Sequence, residues 1–205
     1  MRAKQSKQFG LQSNLFKNLE MEAFRKGITP RTDESRKWFR QRAQSIRRVS
    51  RKNVMNDDPV TLTGKFMPGA MCMFYYQPKH KDTLPYYDAF PLIIVVDKAE
   101  GGFYGLNLHY LPPMLRAKFL DGLMDTVTNQ AYDETTRIGV SYEYLKKTSS
   151  MKYFKPCFKH YLTDHVRSRF GIIPATEWEI ATFLPLASWQ KQSGNKVYKD
   201  SRGMI

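Results

Sequence analysis

Apolar residues recur at helical spacing near the start of the chain, at strand spacing through its middle, and at mixed spacing after that. Leu15, Leu19 and Ala23, flanked by Phe16 and Phe24, follow Ser13 at a helical period and stop at Gly27, which predicts a short amphipathic helix. Thr29-Pro30-Arg31-Thr32 is a break, and Asp33 resembles the cap of a second helix running to Val49. On that helix Trp38, Phe39, Ala43, Ile46 and Val49 share one side. Arg36, Arg40, Arg47 and Arg51 form a stripe on the other, with Lys37 and Arg48 beside it. One face asks for an apolar seat and the other for anions.

Residues 50–65 read as a polar linker. Met71 to Tyr76 then reads as a strand buried on both faces, and Leu92 to Val96 is the clearest strand in the chain. Ala99-Glu100-Gly101-Gly102 predicts a hairpin turn, with Phe103 to His109 as the returning strand. Pro112-Pro113 opens a helix whose stripe is Leu115, Phe119, Leu120, Leu123 and Met124, leaving Arg116, Lys118, Asp121 and Asp125 outside. Residues 126–150 carry no clear pattern. Pro156 opens another predicted helix to Arg169, and Glu177 to Leu184 alternates as a half-buried strand closed by Pro185. The order implies an α+β fold: a small twisted antiparallel sheet or partly open barrel flanked by helices, with an extended basic N-terminal helical arm. The expected divisions are the arm at 1–58, a compact domain at 59–189 and a loose polar tail at 190–205.

Charge sharpens this picture. The net charge is +14, and residues 1–56 hold 15 Lys/Arg against four acids, so +11 of it lies in the first quarter of the chain. A basic surface on a near-neutral body meets phosphate or an acidic protein face. Arg36, Lys37, Arg40, Arg47, Arg48 and Arg51 are therefore the candidate anion- or partner-binding residues. The Leu84 to Pro91 segment, with two prolines and three aromatics, makes Tyr86, Tyr87 and Phe90 a candidate docking surface. No apolar run is long enough to cross a membrane as a helix. Cys72 and Cys157 read as buried free thiols.

Catalytic patterns are missing. No G-x-S-x-G elbow or phosphate-loop motif occurs, and His109 reads as a structural histidine. Cys157, His160 and His165 diverge on a helix, so no metal site is expected. Asp82 and Asp88 bracket the aromatic corner as a loose acid pair. The expectation is a protein that is not an enzyme and carries no cofactor.

The stretch Leu84-Pro85-Tyr86-Tyr87-Asp88-Ala89-Phe90-Pro91-Leu92, continuing through Gly101 to Asp121, resembles small virion-associated proteins of T4-like contractile-tailed phages. Glu177 to Pro185 and the Trp38-Phe39 basic helix are similar to what accompanies it there. The resemblance implies a virion protein made in the host cytoplasm: a tail or baseplate component, or a protein binding the ends of packaged DNA. It implies no enzymatic activity. The leading expectation is thus a structural assembly component docked to other virion subunits in a symmetric particle. The alternative is a basic DNA-binding protein that protects packaged ends.

Overall fold

The computed structural model describes residues 14–46, 49–127, 143–144, 147 and 154–203. The tail expected at residues 1–10, the side chains of Arg47, Arg48 and Met124, and most of the unpatterned 126–150 stretch lie outside the described residues.

Helix α1 (Leu15–Arg25) turns Phe16, Leu19 and Ala23 inward, and Gly27 follows at φ +69°, a conformation that favours glycine. Helix α2 (Asp33–Ser45) is capped by Thr32, not Asp33. The Thr32 hydroxyl accepts from the Ser35 N–H at 3.1 Å, and the Thr32 N–H donates back to Ser35 Oγ at 3.0 Å. Asp33 and Glu34 occupy the first turn, where negative charge favours the helix dipole. The helix ends at Ser45, short of Val49. The expected linker instead forms α3 (Arg51–Met55) and the edge strand β1 (Thr61–Thr63), with Val54 and Met55 buried. Phe16, Leu19, Phe39, Val54 and Met55 share one apolar cluster with Met71, Leu92 and Ile94. The three helices therefore pack on the sheet-bearing body instead of extending from it.

The architecture is α+β. Six strands form one antiparallel sheet in the order β1-β7-β2-β4-β5-β6, not closed into a barrel. They comprise β2 (Met71–Met73), β4 (Leu92–Ala99), β5 (Gly102–Asn107), β6 (Phe158–Leu162) and β7 (Phe170–Ile173) besides β1. Both faces of the central strands are buried, which explains their unbroken apolar runs. Met71, Met73, Leu92, Ile94 and Val96 face the main core, whereas Cys72, Phe74, Ile93 and Val95 face a second, aromatic one. In the second core Phe74 meets the rings of Phe103, Tyr161 and Phe170 at 5.1–5.8 Å. The hairpin lies where the sequence puts it, with Gly101 at φ +68°.

The helix expected from Pro156 is a short 3₁₀ turn followed by β6 and β7. Phe158, Tyr161 and Leu162 fit a helical period, but the backbone pairs with β5 instead. The strand expected at 177–184 is helix α5 (Trp178–Phe183). Trp178, Ile180, Ala181, Thr182 and Phe183 are all buried, because α5 lies among α1, α2 and α4 (Pro113–Val127). A segment buried at all but Glu179 shows almost no solvent face, so its alternation carries little information about period. Along α4, Leu115 is exposed and Arg116 buried, the reverse of expectation, while Phe119, Leu120 and Leu123 point inward. The expected loose tail is ordered as α6 (Gly194–Gly203), with Val197 fully buried. A two-stranded ribbon pairs β3 (Tyr87–Asp88) with β8 (Trp189–Gln190).

Candidate nucleic-acid interface

The six candidate cations divide by what already holds them. Arg36 pairs with Asp33 at 2.5 Å and with Asp121, clamping α2 onto α4. The Asp121 hydrogen bond raises its pKa against the opposing effect of burial. Arg51 donates Nε to the Leu186 carbonyl at 2.8 Å and Nη2 to that of Ala187 at 2.7 Å, so it fixes the chain ahead of β8. Lys37 and Arg40 are exposed and make no ion pair among the described residues. Arg47 and Arg48 lie outside those residues.

The aromatic corner is mostly interior. Phe90 is fully buried and cannot serve as a docking contact. Tyr86 is half-buried against Tyr110 and Trp189, and Tyr87 is half-buried in the β3–β8 ribbon. The corner turns inward because Asp88 anchors it. Asp88 Oδ1 accepts from the Phe90 N–H at 3.0 Å and the Ser188 N–H at 2.9 Å, while Oδ2 lies 2.6 Å from His109 Nδ1.

Burial works to raise the Asp88 carboxyl, but His109 and the two backbone donors together hold it below the ordinary value. Burial lowers His109, and the charges of Arg116 and Arg51 add to that. The pair is therefore a carboxylate accepting from the Nδ1–H of a neutral imidazole, with Nε2 lacking a partner among the described residues. With both residues at 4% exposure or less, Asp88 and His109 form a structural tie. Asp82 stays exposed in the 79–83 turn and does not join it. The thiols are likewise interior: burial pushes Cys72 well above its ordinary range and Cys157 to about 12. His160 contacts the Glu100 carbonyl and His165 that of Gln77, so the two are drawn to different partners.

Beside Arg40 the surface opens into a cleft of about 640 Å³, walled by α2, the start of α4, the chain around 183–189 and the start of α6. Among the described residues that line it, two are arginines and none is acidic. Arg116 lies in its lining at 4% exposure. Its guanidinium donates to the carbonyls of Leu111 at 2.7 Å and Thr182 at 3.0 Å and to Tyr198 Oη at 2.9 Å. These acceptors are neutral. Burial lowers the Arg116 pKa, yet an arginine keeps its charge at working pH, so the cation sits beneath the cleft without a contact ion pair among the described residues.

Tyr198 Oη already accepts from Arg116, which leaves its own hydrogen to donate. Trp189 stands at the wall, held edge-on by Tyr110 at 4.8 Å, and its indole N–H has no acceptor among the described residues. The described lining carries donors, no carboxylate, and aromatic and proline surfaces. A second cleft, of about 410 Å³, carries Glu20, Asp121 and Glu179 in its lining and is ill-suited to a polyanion.

Of the residues lining this cleft, the sequence singles out Arg40 as a candidate and does not single out Arg116, Trp189 or Tyr198. Arg116 was placed outside because charged residues on a helix ordinarily face water. Trp189 and Tyr198 fell at or beyond the edge of the expected compact domain. The one available signal was the pairing of large aromatics with a Ser-Gly-Asn helix start at 193–195.

Among the described residues no helix is long and apolar enough to cross a membrane. No curated protein and no solved structure matches the chain significantly. A family model described as phage T4 terminal DNA protecting protein matches residues 1–202, all but the last three of the chain. The chain therefore belongs to the phage T4 terminal DNA protecting protein family.

Proposed function

We propose that this protein binds the ends of double-stranded DNA and covers them without cutting them. Family membership across residues 1–202 carries the reading, and it favours DNA-end protection over the tail or baseplate role that the sequence puts first. The chemistry agrees. The chain carries +14, and its acid-free cleft opens beside the exposed Arg40. Phosphate is the partner that such a surplus of unpaired donors suits. The protein, in this reading, is made in the host cytoplasm and remains in the particle on the packaged DNA. Contacts with other virion subunits would be additional to that role.

The test compares a linear duplex with a covalently closed circle of the same sequence. Binding is measured from about 50 to 200 mM salt, over which several phosphate contacts cost roughly a thousandfold or more in affinity. A 5′→3′ and a 3′→5′ exonuclease then report on the ends. The expected result is preference for the linear form and slowed digestion at stoichiometric protein. Equal affinity for circle and line, with ends digested at the unprotected rate, would overturn the proposal.

A further inference from the structure

We propose that the cleft between α2, α4 and α6 receives a single unpaired terminal nucleotide and grips its terminal phosphate. The proposal rests on the DNA-end reading and says which part of an end is recognised.

Size comes first. At about 640 Å³ the cleft falls within the roughly 300–1,000 Å³ typical of small-ligand sites. A duplex is far too wide for it, so whatever enters must leave the helix. A nucleotide at a terminus has stacking on one side alone and frays more easily than any internal one. Removing a base from the stack has a cost that stacking on protein aromatics offsets. Trp189 and Tyr198 supply aromatic surface in the lining, and Pro112, Pro113 and Pro185 supply flat apolar contact. Trp189 is pre-set for this. Tyr86 and Tyr110 meet its ring edge-on at 87°, and a Cβ on Gly194 would come within 3.2 Å of its Nε1.

Charge makes the choice between terminus and interior. An internal phosphate is a diester with one negative charge and two free oxygens. A terminal phosphate is a monoester, with about −1.5 to −2 charge at neutral pH and three acceptor oxygens. The cleft offers Arg40, the buried charge of Arg116, the Trp189 N–H and the Tyr198 O–H, with no carboxylate among its described lining residues. Such a set gains most from the ligand with the greatest charge and the most acceptors. End recognition then follows from chemistry that an unbroken strand lacks.

Three DNAs of one sequence test this: a dumbbell closed by hairpins at both ends, a duplex with 5′-hydroxyl ends, and the same duplex with 5′-phosphates, each open duplex carrying a one-nucleotide 5′ overhang. Affinity is read by anisotropy, and tryptophan quenching reports approach to Trp189. The phosphorylated end is expected to bind about tenfold tighter than the hydroxyl end, the scale of one charge-assisted contact. Arg40→Ala should abolish that preference, and Trp189→Phe should remove the quenching. Lys98→Ala, an exposed cation on β4, should retain both. Equal binding of phosphate and hydroxyl ends, with the dumbbell still discriminated against, overturns this inference and leaves the DNA-end reading standing. Equal binding of all three, or of none, overturns both.

Discussion

Replacing Asp88 by Ala should destabilise the protein by about 3–5 kcal/mol. The side chain is buried and accepts four hydrogen bonds: from the Phe90 and Ser188 amides, from His109 Nδ1, and a longer one of 3.4 Å from Asn107 Nδ2. Alanine strands two backbone N–H groups and an imidazole N–H in the interior. Each costs about 1–3 kcal/mol, and the sum is reduced because a carboxylate no longer has to be desolvated. Against a total stability of about 5–15 kcal/mol the loss is large. With a urea slope of about 2–3 kcal/mol per molar for a chain of this size, the midpoint should fall by about 1–2.5 M. Asp88→Asn is the informative companion. Its Oδ1 still serves the two amides, but its Nδ2 meets His109 Nδ1, which must pass its proton to the unpartnered Nε2. That variant should lose about 1–2 kcal/mol. Urea titrations followed by tryptophan fluorescence and by circular dichroism measure all three proteins. An alanine variant within the error of the parent, or asparagine as damaging as alanine, would refute the assigned protonation and the role of the tie. Because Ser188 precedes Trp189, the alanine variant should also loosen the cleft wall and weaken DNA binding.

His109 sets an acid limit on stability: its folded pKa lies below the ordinary 6.5, so the unfolded chain takes the proton first and stability falls as pH drops through and below that value. Urea midpoints between pH 7.5 and 5 should show the decline, His109→Gln should flatten it, and a flat parental profile would count against the buried neutral imidazole. The Asp88 carboxyl adds a second loss below about 3.8, since its folded pKa is held under that value. Arg36 and Asp121, at 15% and 30% side-chain exposure, should couple α2 to α4 by about 1 kcal/mol in a double-mutant cycle, shrinking in high salt; zero coupling would make the clamp incidental. Gly102→Ala should cost about 2–4 kcal/mol, because its Cβ would stand 1.9 Å from the Tyr161 carbonyl oxygen, whereas Gly64→Ala meets nothing within 4 Å and should be near neutral by thermal melts.

Local pattern made much of the fold legible. The α1 stripe, the Gly101-Gly102 hairpin and the doubly buried runs of β2 and β4 each leave a signal within about ten residues. The misread elements share another physics. Phe158, Tyr161 and Leu162 satisfy a helical period, yet β6 forms because the bare Cα of Gly102 lets Tyr161 approach, a contact between residues far apart in sequence. Trp178 to Phe183 alternates like a strand yet is a helix, since every side of it meets another element. Arg116 and Asp88 look like surface charges because the Thr182 carbonyl that accepts from one and the Ser188 amide that donates to the other lie far away in sequence. Periodicity records which residues avoid water. It does not record which polar groups find partners away from it.

The same distinction governs where an anion can bind. Counting bases puts the candidate interface along all of α2, but a cation already matched by a carboxylate has little left to offer a phosphate. One set among carbonyls, as Arg51 and Arg116 are, keeps its charge but has few donors free. Arg36 is spent on Asp33 and Asp121, Arg42 on Glu22, and Arg51 on the Leu186 and Ala187 carbonyls. Arg40 is different, because no acid is among the described residues that line the cleft beside it. Three acids, Glu20, Asp121 and Glu179, gather instead around the smaller cleft, which meets α2 one turn earlier at Arg36. Segregation of this kind leaves the larger cleft positive even though much of the basic stripe is neutralised. A DNA terminus should therefore be drawn to the place where the protein's own acids are missing, not to where its bases are most numerous.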